Sequence, residues 1–461
     1  MSFSGLNFIF YFLPVFLAVY YLTPPQWHKV VLFVGSMGFY LWGAGWRDAA
    51  LLFGVIVVNY ALALLMERRE QPRRRPLLAL ALCADLGLLL FYKYSGFLAG
   101  GIARLLGAES PLLTLALPLG ISFYIFQCVA YVVDVYRGMP PEVNFYAFAA
   151  FLSAFPQLTM GPILRYGDLR AALRSRKMRC ADLEEGFESF AVGFVLKVLV
   201  ADQLAPLWAS LERIGFASIS TPLAWLGAVG YSLQLYFDFA GYSLMAVGLG
   251  QMLALPIARN FDHPYCARSV SEFWRRWHIT LGAWFRDYLY IPLGGSRRGK
   301  GRMVLALTAV WLLTGLWHGA GWSFILWGAA LLVLILLEKL ALRRLLDRCG
   351  LLAHLYVCAV MPITWVLFKI TDLRELGAYL GRMFPFFGEG VCVYRGDFAE
   401  HLSSYAPFLL LALFLCLPQP ERVFEKYRGR WFVSVPLFLL FWYCLYLSST
   451  AGGNAFLYAR F

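Results

Sequence analysis

The sequence predicts an all-α protein that crosses a membrane several times. Of its 461 residues, 61% are hydrophobic and only 15% are charged, and the mean hydropathy is +0.65. A soluble chain of this length would carry about 25% charged residues to cover its surface. The apolar residues also fall in long runs that alternate with basic clusters, which is typical of membrane helices joined by short loops.

The apolar runs predict the order of the helices. A helix of about 20 residues crosses the hydrocarbon core, so we expect about nine to twelve spanning or re-entrant elements. The first run lacks a basic start and a cleavage site, which favours a retained helix over a signal peptide. The candidate segments are 6–23, 28–46, 49–66, 77–93, 113–135, 144–160, 187–205, 221–256, 303–337, 351–370, 404–418 and 431–449.

The net charge of +13 is distributed between the apolar segments. This distribution follows the positive-inside rule, which places such loops on the cytoplasmic side near anionic headgroups. A nucleic-acid surface would need the basic groups on one solvated face, so we do not expect nucleic acid as a partner. The basic clusters lie at 67–75, 165–179, 275–277, 294–302, 343–348 and 422–430.

The segment 303–337 contains no acidic residue, lysine or arginine. A straight helix of about 35 residues would measure roughly 52 Å, well beyond the hydrocarbon core of about 30 Å. The segment must therefore be broken, tilted or folded back. The glycines Gly315, Gly319 and Gly321 are the expected breaking points because glycine permits a turn. His318 lies among them, deep in the predicted membrane segment.

His318 is a candidate for chemistry because titratable groups within a membrane usually mark function. Histidine is the least costly of them to bury, since desolvation favours its neutral form. A neutral imidazole can act as a general base toward an alcohol or a thiol. The alternative is a structural histidine that donates to a backbone carbonyl exposed by the glycine break. From the residues alone, both interpretations stay open.

The segment 260–302 is both aromatic and basic, which a spanning helix does not tolerate. Its aromatic residues recur at helical spacing, so we predict an amphipathic helix at the membrane interface with tryptophan and tyrosine at headgroup level. His278 lies on this helix, where it either touches headgroups or flanks, with His318, a tunnel that begins at the cytoplasmic face. The aromatic face comprises Trp274, Trp277, Leu281, Trp284 and Tyr288.

Other polar residues in apolar runs predict ion pairs rather than a metal centre. Asp134 with Arg137, and Lys197 with Asp202, are spaced to pair at a membrane edge. Asp238 has no basic neighbour in the sequence and needs a partner from another helix. The nine cysteines contain no CxxC pair, so we expect neither a zinc site nor a disulfide framework.

Two stretches, "SEFWRRWHITLGAWFRDYLYIPLGGSRRG" and "WLLTGLWHGAGWSFILWG", resemble the membrane-bound O-acyltransferase superfamily. The resemblance is close to its bacterial branch that acetylates exopolysaccharides, typified by alginate O-acetyltransferase. It extends over most of the chain in order, through "LPLGISFYIFQCVAYVVDVYRG" and "NFDHPY". It implies one integral-membrane domain over 1–461, with helices and interfacial segments around a central tunnel.

The resemblance also implies a site and a reaction. His318 corresponds to the intramembrane histidine of the family, and His278 to its second polar position. An acetyl group would leave a thioester, acetyl-CoA, for an acceptor hydroxyl that His318 deprotonates. His278 would position the donor or stabilise the oxyanion, and a covalent acetyl-histidine relay stays open. The residues expected to bind the donor are Arg276, Trp277, Arg297, Arg298 and Lys300.

For partners and location, the resemblance implies a multi-pass protein of the bacterial cytoplasmic (inner) membrane with no permanently bound cofactor. Its acetyl groups would pass to a periplasmic SGNH-type acetyltransferase or an acetyl carrier, and through it to a polysaccharide. Peptidoglycan or cellulose O-acetylation and teichoic-acid D-alanylation are alternatives within the same fold. A polysaccharide export channel is the alternative from a different class, and it would not need His318 as a base.

Overall fold

The computed structural model describes residues 3–70, 73–107, 115–175, 179–386, 392, 394–450 and 456. Within these ranges the chain forms helices joined by turns and contains no strand. The predicted all-α class is therefore confirmed. Packing of the Cα atoms separates the chain into two compact units, Met1–Phe190 with Ser243–Arg259, and Ala191–Tyr242 with Asn260–Phe461.

The first unit is built mainly from the N-terminal helices. Aromatic rings form part of its core, with the Phe12 ring 4.9 Å from Phe39 and 5.3 Å from Phe155. A π-helical turn, Phe8–Phe12, precedes the first helix. The helices are α1 (Leu13–Leu22), α2 (His28–Ala44), α3 (Trp46–Glu67), α4 (Arg74–Leu105), α5 (Ile121–Tyr136), α6 (Phe145–Ser153), α7 (Phe155–Leu158), α8 (Tyr166–Arg174) and most of α9 (Cys180–Val195).

The second unit contains most of the remaining helices and both candidate histidines. Helix α11 begins in this unit, and its last residues belong to the first one. The helices are α10 (Asp202–Ile214), α11 (Thr221–Met252), α12 (Val270–Arg276), α13 (Ile279–Phe285), α14 (Lys300–His318), α15 (Trp322–Leu337), α16 (Arg343–Arg348), α17 (Gly350–Lys369), α18 (Leu373–Met383), α19 (Asp397–Leu415), α20 (Pro418–Tyr427) and α21 (Trp431–Thr450).

Among the described residues, seven helical segments are long and apolar enough to cross a membrane. They identify a multi-pass membrane protein. Apolar runs such as 28–46 and 144–160 fold into shorter helices of 17 and 9 residues and are not among the seven. The nine to twelve elements expected from the sequence include such shorter, re-entrant helices as well as the spanning ones. The seven segments are Trp46–Glu67, Arg74–Ala103, Cys180–Ile214, Trp322–Arg348, Gly350–Lys369, Asp397–Leu415 and Trp431–Thr450.

The ion pairs predicted from the sequence are present. An Arg137 Nη1 to Asp134 Oδ1 distance of 3.8 Å joins the first pair, and Lys197 Nζ lies 2.7 Å from Asp202 Oδ1. The same Lys197 Nζ lies 2.7 Å from Asp238 Oδ1, so Asp238 receives its partner from outside its own helix. Because Lys197 and Asp238 are both buried, each charge depends on the other for its stability.

Candidate active site

The segment 303–337 is broken next to His318. Helix α14 ends at His318 and α15 begins at Trp322, with Gly319–Gly321 forming the turn. Helices of 19 and 16 residues measure about 28 and 24 Å, so each fits the hydrocarbon core. The break predicted from length is therefore confirmed, and it places His318 at the end of its helix.

The glycines of this hairpin are needed for close approach rather than for an unusual backbone. Gly319 and Gly321 have φ values of −171° and −166°, which is extended backbone open to any residue. A Cβ at Gly315 would lie 2.3 Å from the Phe324 carbonyl oxygen, and one at Gly328 2.4 Å from that of Trp311. The absent side chains let α14 and α15 pack backbone to backbone.

Aromatic rings enclose the His318 imidazole, whose residue is 3% exposed. Its ring centroid lies 4.9 Å from Trp317, 5.1 Å from Trp327 and 5.2 Å from Phe368. All three rings stand nearly edge-on to the imidazole, as their interplanar angles of 79°, 90° and 86° indicate. His318 therefore lies in an apolar shell that α14, α15 and α17 build together.

In place of the single amphipathic helix predicted through Trp274 and Tyr288, the structure has two short helices at its start. Helix α12 ends at Arg276 and α13 begins at Ile279, because His278 between them adopts a left-handed backbone with φ 46° and ψ 53°. Three members of the aromatic face, Trp277, Leu281 and Trp284, are also buried inside the protein. Trp277 is 1% exposed and packs on Trp365, with ring centroids 4.8 Å apart. The aromatic face serves the core of the second unit.

His278 is buried beside the same aromatic shell. Its ring centroid lies 4.9 Å from Phe239 and 6.1 Å from Trp317, whose ring also neighbours His318. The centroids of the two imidazoles are therefore separated by no more than the sum of their distances to the Trp317 ring. His278 lies outside the seven candidate spans, and burial lowers its pKa to about 3. Its imidazole is therefore neutral at physiological pH.

A cavity of about 260 Å³ lies in the second unit, and His278 is one of the residues that line it. Its walls include the aromatic residues Trp274, Trp277 and Trp311. Thr314 also borders the cavity and precedes His318 by one turn of α14, so both residues share a face of that helix. The cavity therefore reaches His278 directly and comes within one helical turn of His318.

The basic residues at this cavity are not those expected from the sequence. Arg275, Arg286 and Lys339 border it. The sequence contains features that could have indicated these residues, because Arg275 directly precedes Arg276 and Lys339 follows one apolar span after His318. Which of the two adjacent arginines faces the cavity is set by the contacts of α12, because Arg276 is bound to Glu272 and to Asp262.

The residues predicted to bind the donor are divided between several places. Trp277 borders the cavity. Arg276 does not, since its Nη2 donates to Glu272 Oε1 at 2.8 Å and its Nη1 to the Asp262 carbonyl at 3.2 Å. Arg297, Arg298 and Lys300 are exposed before and at the start of α14 and do not border the cavity. In the described part of the chain, no group of three or more His, Cys, Asp or Glu residues is arranged to hold a metal ion.

Comparison with known proteins identifies the family to which the chain belongs. The model of the membrane-bound O-acyltransferase family matches residues 136–357, which include both histidines and every residue around the cavity. The chain belongs to this family. It is therefore a multi-pass membrane O-acyltransferase, as the sequence predicted.

The names of individual relatives specify different acyl groups and different polymers. The probable alginate O-acetylase AlgI of Pseudomonas putida is 40% identical over 397 residues, which cover 84% of this chain and 81% of that protein. The peptidoglycan O-acetyltransferase of Helicobacter pylori is 30% identical over 514 residues, covering 98% and 96%. The teichoic acid D-alanyltransferase of Streptococcus thermophilus is 31% identical, but over only 46% of this chain and 54% of that protein.

Proposed function

We propose that the protein takes acetyl groups from a cytoplasmic thioester, acetyl-CoA, for the O-acetylation of an exopolysaccharide such as alginate. The observation that carries this proposal is the cavity, which has basic residues on its border and is lined by His278 and by Thr314, one helical turn from His318. The choice of acetyl is supported by relatives named O-acetylase and O-acetyltransferase, both of which align with most of the chain.

The charges at the cavity suit an anionic donor. Arg275 and Lys339 are exposed at its border, and Arg286 donates to Asp287 Oδ1 at 2.7 Å. One guanidinium group can bind two phosphate oxygens at once, and an ammonium group attracts them as a point charge. A phosphorylated carrier such as coenzyme A would place its phosphates at these residues and its thioester toward His278.

The proposed chemistry uses the two histidines in different roles. His318 accepts the proton of the acceptor hydroxyl while that oxygen attacks the thioester carbonyl carbon. His278, neutral because its pKa is lowered to about 3, donates a ring N–H to the resulting oxyanion. The tetrahedral intermediate then collapses, the carbon–sulfur bond breaks, and the thiolate takes up the proton that His318 accepted, which returns His318 to its neutral form. The products are the acetyl ester and the free thiol.

We place the protein in the bacterial cytoplasmic membrane with its basic loops and donor on the cytoplasmic side. The described ranges are mostly helical. A polymer is therefore more simply held by a periplasmic partner of the SGNH type, which would receive the acetyl group through this protein.

The test is acetyl transfer from radiolabelled acetyl-CoA by purified protein in liposomes. His318→Ala should lower the rate by about 10²–10⁴-fold, the usual contribution of a general base. His354→Ala is a matched control, since the His354 ring contacts the Ala267 carbonyl at 3.1 Å and does not border the cavity. It should transfer at the wild-type rate.

Three outcomes would contradict parts of the proposal. Full transfer by His318→Ala would remove the base assignment. Transfer from a D-alanyl thioester but not from acetyl-CoA would favour teichoic-acid modification. Loss of polymer export in cells that carry the variant, with acetyl-CoA turnover unchanged, would favour a transporter.

A further inference from the structure

The backbone of His278 is held in a conformation that its own side chain disfavours. Its φ of 46° lies in the left-handed region, where a residue with a Cβ meets steric strain. Such residues persist when the surrounding structure determines their backbone, and they cluster at functional sites. The contacts on either side of His278 therefore show what keeps the imidazole at the cavity.

Asn260, which is buried, accepts hydrogen bonds from the two residues that follow His278 in the chain. The Ile279 N–H donates to the Asn260 carbonyl at 3.0 Å. The Thr280 N–H and hydroxyl donate to Asn260 Oδ1 at 3.1 and 2.7 Å. Because a backbone N–H requires an acceptor, these bonds define which side-chain atom of Asn260 is the oxygen.

The residues before His278 are tied to the same stretch of chain. The Asp262 N–H donates to the Arg276 carbonyl at 3.0 Å, and Arg276 Nη1 donates to the Asp262 carbonyl at 3.2 Å. Between these positions, the Phe261 ring stands edge-on to Trp277 with centroids 5.1 Å apart. The segment 260–262 therefore brackets Trp277 and His278 from both ends.

We propose that Asn260 is a positioning residue for acyl transfer, which holds His278 in its left-handed conformation and its imidazole in the wall of the cavity. This inference rests on the role proposed for His278. Without the Asn260 side chain, the segment 278–280 loses two of its three hydrogen bonds to Asn260, those of the Thr280 N–H and hydroxyl, and relaxes toward a less strained conformation. The imidazole then leaves the oxyanion, while Arg275 and Lys339 still attract the donor.

The first experiment separates the chemical step from donor binding. In the full-length protein in liposomes, Asn260→Ala should lower kcat at least tenfold and leave KM for acetyl-CoA within about twofold. Thr280→Val, which removes one bond, should have a smaller effect, and Thr280→Ser should restore the wild-type kcat. Asn144→Ala is the matched control, because Asn144 Oδ1 also caps a backbone N–H, that of Ala147 at 3.1 Å, but in the first unit. An unchanged kcat in Asn260→Ala, or an equal loss in Asn144→Ala, would overturn the proposal.

The second experiment asks whether Asn260 acts through His278. In a His278→Ala background, adding Asn260→Ala should change kcat by less than twofold, whereas independent effects would multiply. Where His278→Ala is too slow to measure, hydrogen exchange of a peptide covering 277–282 decides the question. Uptake should rise in Asn260→Ala and not in Asn144→Ala, and unchanged uptake would overturn the proposal. Absence of transfer by the wild-type protein would instead count against the proposed function, since the exchange experiment needs no turnover.

Discussion

The two histidines of the candidate site are held by opposite means. His318 ends a helix that packs backbone to backbone against its neighbour through Gly315 and Gly328, inside a shell of aromatic rings. His278 lies between two short helices, in a strained backbone that Asn260 fixes with hydrogen bonds. The His318 region depends on the missing side chains of two glycines, whereas the His278 region depends on specific hydrogen-bond partners.

This difference sets an order of sensitivity. A contact between two helix backbones cannot yield by rotating a side chain, so an added Cβ must move a whole helix. A hydrogen-bonded loop can lose one bond and keep the others, and its response is graded. We therefore expect steric changes at the His318 hairpin to be the most severe, polar changes near His278 to be intermediate, and its titration to be the mildest.

The largest effect is expected from Gly315→Val. Its Cβ would lie 2.3 Å from the Phe324 carbonyl oxygen, so α14 and α15 must separate and the aromatic shell of His318 must open. Acetyl transfer should fall at least a hundredfold, with a lower thermal midpoint in detergent. Gly301→Ala on the same helix is the control, because nothing lies within 4 Å of a Cβ there. Wild-type activity in Gly315→Val would show that the close helix contact does not hold His318 in place.

The sequence was sufficient to predict the structure where the length of one segment or one isolated charge left no alternative. The length of 303–337 required a break, and the isolated Asp238 required a partner, which is Lys197. It was insufficient at His278, because two short helices in series preserve the aromatic spacing of one long helix. The contacts that stop the helix come from Asn260, well before it in the chain, and helical periodicity carries no information about them.

An intermediate effect is expected from Glu338→Gln, which tests the link between the two regions. The buried Glu338 follows α15, and its Oε2 accepts from the Ser271 N–H at 2.9 Å and the Ser271 hydroxyl at 2.8 Å at the start of α12. Hydrogen bonds to charged groups contribute about 1.5–3 kcal/mol each, so α12 should loosen and shift Arg275. KM for acetyl-CoA should therefore rise several-fold with little change in kcat, the reverse of Asn260→Ala. Glu425→Gln, at an exposed 3.5 Å contact with Arg428, should leave both constants unchanged. A fall in kcat alone would place Glu338 with the His278 loop instead.

The smallest effect is expected from the titration of His278. Burial lowers its pKa in the folded protein to about 3, against about 6.5 in an unfolded chain. Between these values only the unfolded chain binds the proton, so this residue leaves stability unaffected above pH 6.5 and lowers it progressively as the pH falls toward 3. At pH 5.5 the loss should be about 1.4 kcal/mol, or one unit of pKa difference. Thermal midpoints in detergent at about pH 7.5 and 5.5 should therefore differ more for the wild-type protein than for His278→Gln. Equal differences would mean that the imidazole is hydrated in the folded protein, and His278 would then belong to an open loop rather than to the closed aromatic wall that His318 shares.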